Sequence, residues 1–66
     1  MTAGQQREVY FEFTRIGGSV KVAAIDGDTG IEVTVVGPSS AMPGDLERLA
    51  LAKLKARLAR GADGEP

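Results

Sequence analysis

Gly17-Gly18 lies between two stretches of alternating apolar residues, and this dipeptide leaves the chain little choice of local fold. Upstream, Val9, Phe11 and Phe13 share one side while Glu8, Glu12 and Thr14 share the other. Downstream, Ser19-Val20-Lys21-Val22-Ala23-Ala24-Ile25 resumes the alternation. A period of two in aromatic and β-branched residues belongs to a half-buried strand. A glycine pair supplies the positive φ that a primed two-residue turn demands. The prediction is a hairpin in which Ile16 faces Ser19, so that paired residue numbers sum to 35. Phe13 then faces Val22 and Phe11 faces Ala24, and the apolar side matches itself across the turn.

Asp26-Gly27-Asp28-Thr29-Gly30 is the next break, and Ile31-Glu32-Val33-Thr34-Val35-Val36 reads as a third strand. Pairing Asp26 with Ile31 around a four-residue loop sets Val22 against Val35 and Ala24 against Val33. The faces agree again, so a three-stranded meander is expected. Gly37-Pro38 is expected to end the sheet, because proline has no amide hydrogen. A helix should follow from Pro43 to Arg60, with Asp45 near its positive end, Arg57 and Arg60 near its negative end and Gly61 as C-cap. At about 100° per residue, Leu46, Ala50, Leu51, Leu54 and Leu58 fall in one sector. That sector should cover the sheet, with Phe11 and Phe13 beneath it. The fold class is therefore α+β, a three-stranded antiparallel meander with one C-terminal helix on one face.

One domain is expected over residues 7–60, between a loose arm at 1–6 and an acidic tail at 61–66. No secretory pattern opens the chain and no apolar run approaches the roughly 18 residues of a membrane span, so a cytoplasmic protein without membrane contact is expected. The 66 residues hold no Cys and no His. Disulfides, thiolate chemistry and the usual zinc ligand and neutral-pH base are thereby excluded. A non-enzyme with no catalytic residue, metal or cofactor is the expectation.

Four motifs invite chemical readings. Asp28-Thr29-Gly30 is the tripeptide of aspartic proteases, but it stands among turn formers in a chain with no length for a substrate-covering flap; turn chemistry accounts for it. Asp26, Asp28 and Glu32 match only the first spacings of a calcium loop, whose bidentate glutamate belongs at position twelve. Gly17-Gly18 lacks the lysine and following helix of a phosphate cradle. Arg48, Lys53, Lys55, Arg57 and Arg60 make the helix segment basic, five cations against two acids over residues 43–60. They form a candidate basic patch for nucleic acid. Their spread around the helix, and an overall charge of -1, make that the second choice.

The run Arg7-Glu8-Val9-Tyr10-Phe11-Glu12-Phe13, with Val20 to Asp26, Thr29-Gly30 and Val36-Gly37-Pro38, resembles a set of short alphaproteobacterial proteins that form a domain-of-unknown-function family. The resemblance covers about residues 7–60 and implies no functional residue. Some members bear the name of the pyridoxal-phosphate enzyme serine hydroxymethyltransferase, whose fold needs hundreds of residues and a cofactor lysine; that label does not suit this chain.

Size supplies the functional argument. Below ~70 to 80 residues, one core rarely gives more than ~3 to 5 kcal/mol without a disulfide, a metal or a partner. A homo-oligomer or a larger protein partner is thus expected, and the chain reads as a small interaction module. Two surfaces are candidates. The second sheet face carries Tyr10, Ile16, Ile25 and Val36, with Tyr10 opposite Ile25. A weaker apolar strip of the helix carries Leu49, Ala52, Ala56 and Ala59.

Overall fold

A computed structural model describes residues 8–61. The chain forms β1 (Val9–Ile16), β2 (Ser19–Asp26), β3 (Glu32–Pro38) and α1 (Pro43–Gly61). The expected arm at 1–6 lies outside the described residues, as does the expected tail at 61–66 except for Gly61, which falls within α1. The sheet is antiparallel in the order β1-β2-β3, so the β-β-β-α architecture is as the periodicity requires.

Both registers follow the turn chemistry. Ile16 pairs with Ser19, Phe13 with Val22 and Phe11 with Ala24, and Val22 pairs with Val35 and Ala24 with Val33. Gly17 holds the hairpin turn at φ +58° and Gly30 the second loop at φ +78°, a region that costs a side-chain-bearing residue about 1 kcal/mol or more.

The third strand includes Gly37 and ends at Pro38, as expected, but the missing amide hydrogen is not what ends it. Val20 pairs with Gly37 and Ser19 with Pro38, and Ser39 N–H donates to Gly18 O at 2.8 Å. Proline fits because opposed antiparallel pairs alternate between bonded and non-bonded. Asp26 N–H donates to Ile31 O and Ser39 N–H to Gly18 O, both at 2.8 Å. The pair between Ser19 and Pro38 therefore falls on a non-bonded position, where no donor is needed on an edge strand.

Val22, Ala24 and Val33 from the sheet and Leu46, Ala50 and Leu54 from the helix form the buried core. Leu51 and Leu58 are half-buried at its flank. Gly37 allows the helix close to β3, because a Cβ there would stand 2.6 Å from Leu46 Cδ2.

The helix lies over β2 and β3, and this corrects one expectation. Phe11 is only half-buried and Phe13 is 46% exposed, so the two rings are not both beneath it. The reason is width: strands stand about 4.8 Å apart and a helix with side chains is about 10 Å across, enough for two strands. The short connector Ser39–Met42 and the approach at Gly37 decide which two. No described helix is long and apolar enough to cross a membrane.

Candidate interaction surface

The uncovered inner face of β1 and the flank of α1 enclose a groove. Val9, Phe11, Leu51, Leu54, Lys55 and Leu58 line a cavity of about 340 Å³. Phe13, Arg15, Val20, Ala41, Pro43 and Leu46 are among the residues around a second of about 290 Å³. Val9, Phe11, Phe13 and Arg15 are successive inward positions of one strand, so the two cavities follow one another along β1.

The backbone of the same strand is open at its outer edge. Gly27 N–H donates to Glu8 O at 2.8 Å, which makes the even-numbered residues the bonded partners of β2. Val9, Phe11, Phe13 and Arg15 therefore direct their N–H and C=O groups away from β2. Among the described residues no hydrogen bond reaches these groups from outside the sheet. The β3 edge is different. Lys53 Nζ donates to the outward Thr34 carbonyl at 2.7 Å, and Pro38 has no N–H to offer. A covering lysine and a proline are the usual means of blunting an edge.

The residues anticipated as an interaction surface lie on two faces other than that of the groove, the outer side of the sheet and the exposed side of the helix. On the outer sheet face, Tyr10 is opposite Ile25; Tyr10, Ile16 and Val36 are exposed and Ile25 is half-buried. Tyr10 Oη donates to Glu8 Oε1 at 2.9 Å. That hydrogen bond, followed by the charge of the same carboxylate and slight desolvation, raises the phenol above its ordinary value of 10.0. Leu49, Ala52 and Ala56 are exposed on the helix.

The basic residues do not share one face. Arg48 is ion-paired with Asp45, Lys53 is held on Thr34, Lys55 stands at the groove, and Arg57 and Arg60 are exposed. In the second loop, Thr29 donates to Asp26 Oδ2 twice, from its N–H at 3.0 Å and its hydroxyl at 2.7 Å. Its Oγ1 accepts from Ile31 N–H at 3.1 Å. Thr29 and Gly30 thus serve the turn. No three acidic side chains among the described residues converge to hold a metal ion.

A family model described as a domain of unknown function, DUF6898, matches residues 6–61. The chain belongs to this family. No curated protein and no solved structure matches it. All four elements fall within the DUF6898 match, so the groove and the open edge are parts of the family's domain. Sequence reasoning on this DUF6898 chain assigned Phe11, Phe13, Leu51 and Leu58 to the core; Phe11 and Leu58 do pack against it, but the reasoning missed that Phe13 is exposed and that all four line the cavities beside β1. The width of three strands against one helix was the signal that could have found them.

Proposed function

We propose that the protein is a non-catalytic interaction module that receives an extended polypeptide segment along β1. The observation that carries this reading is the coincidence on one strand of a backbone edge unpaired among the described residues and a partly exposed apolar side, with Phe13 46% exposed. Added strands gain affinity from main-chain hydrogen bonds and specificity from alternate side chains in pockets, and β1 offers both requirements side by side.

The test is a peptide-library selection against dilute immobilised protein. Selected sequences should alternate apolar and polar residues, and their binding should fall at least about tenfold in Phe13→Asp, by the cost of charge in an apolar site. Ile25→Lys and Ala56→Glu, on the two other faces, should bind as the parent does. Binding insensitive to Phe13→Asp would overturn the reading. So would a preference for oligonucleotides with a steep loss of affinity in salt, which the helix cations would then explain.

A further inference from the structure

We propose that the segment received by β1 is β1 of a second copy, paired antiparallel with Phe13 facing its own counterpart. The two sheets then join as one of six strands with both helices on the same side. The inference rests on the reading of β1 as a receiving edge and adds the identity of what it receives.

The edges set the symmetry. The β3 edge is blunted by Lys53 and Pro38, so β1 of one copy cannot continue onto β3 of the next to build an open filament. β1 on β1 remains, a two-fold contact that closes on itself. Three of the six large apolar side chains left exposed among the described residues, Tyr10, Phe13 and Ile16, are on this strand.

The register follows from parity, overlap and charge. Outward backbone groups belong to odd-numbered residues, so odd must face odd and the paired numbers must have an even sum. Centring on Phe11 overlaps only residues 9–13 of the strand. Centring on Glu12 overlaps residues 9–15, but sets Glu12 against its own copy at a close, non-bonded position, where like charges repel. Centring on Phe13 overlaps residues 10–16 and places Tyr10 against the second copy's Ile16, Glu12 against Thr14 and Phe11 against Arg15. No like charges are opposed. Four exposed apolar side chains, a Tyr10 and an Ile16 from each copy, acquire partners in this register.

The test is sedimentation of the full chain across micromolar to millimolar concentration, for the parent and two variants. Thr14→Glu sets a carboxylate against Glu12 of the second copy twice per dimer, yet within its own sheet it faces Lys21, which favours the folded monomer. It should raise the dimer dissociation constant about tenfold. Adding Glu12→Lys to Thr14→Glu turns both repulsions into attractions and should restore the parental constant. A dimer insensitive to Thr14→Glu, or one that the double variant fails to restore, overturns the proposal. A monomeric parent also overturns it, while peptide binding retained by that monomer would leave the receiving edge intact. Hydrogen exchange in the parent covers the case of a variant that does not fold. The amides of Phe11, Phe13 and Arg15 should slow with rising concentration and those of Glu32 and Val36 should not; rates at Phe11, Phe13 and Arg15 independent of concentration overturn the pairing.

Discussion

Two aspartates two residues apart show how placement divides identical chemistry. Asp26 is fully buried at the end of β2, and its Oδ2 accepts both hydrogen bonds from Thr29. Asp28 is exposed at the loop tip. Asp26→Ala removes a fully buried side chain and both hydrogen bonds from Thr29 and should cost about 1 to 3 kcal/mol, whereas Asp28→Asn should stay within about 0.5 kcal/mol. Paired urea melts measure both. Tyr10 is the chain's one tyrosine and tryptophan is absent, so tyrosinate absorbance reports a single group. Its midpoint should lie above 10.0 and return towards it in Glu8→Gln, because the Glu8 carboxylate accepts the phenolic proton and repels the phenolate. The sign follows from linkage: a raised folded pKa gives stability that is present below the unfolded value and lost as pH rises through the folded one. The phenol is exposed, so salt should narrow the shift.

At the scale of elements, the position of the helix decides what each large side chain contributes. Leu54 is completely buried between α1 and the sheet, as is Val22 below it. Leu54→Ala should cost about 2 to 5 kcal/mol, comparable with the whole stability of a domain this small, and should unfold it. Phe13 has nearly half its surface in water, so Phe13→Ala should cost the monomer only about 1 to 2 kcal/mol. Thermal melts at low concentration should separate the two clearly. Equal losses would mean that the helix covers β1 in solution. Gly37 belongs to the same account, since the space its missing Cβ leaves is filled by Leu46 and draws the helix towards β3.

At the scale of the whole molecule, one helix cannot close three strands. The core that does form has only six buried members, two of them the alanines Ala24 and Ala50. Burial of that extent gives a marginal monomer, and the apolar side of β1 is what remains to be covered. Pairing through β1 would link folding to association, so the melting temperature should climb with protein concentration to the same degree that the sedimentation series shows dimer.

Strand number, both registers, the loop at Asp26 to Gly30 and the helical sector of Leu46, Ala50 and Leu54 were all determined by the sequence. Each depends on periodicity or turn chemistry among residues close along the chain, and such relations are one-dimensional. Proline at position 38 does end β3, but not through its missing N–H: whether that matters depends on which side of the ladder it faces, and this emerges only once the pairs are bonded. The site needed the tertiary structure outright. Val9, Phe11 and Phe13 have the pattern of core residues, and no local property distinguishes an apolar side chain under a helix from one beside it. The sheet order makes β1 an edge strand, and the lateral placement of α1 over β2 and β3, drawn there by the short connector and the contact of Leu46 with Gly37, turned the β1 side of the predicted core into a groove.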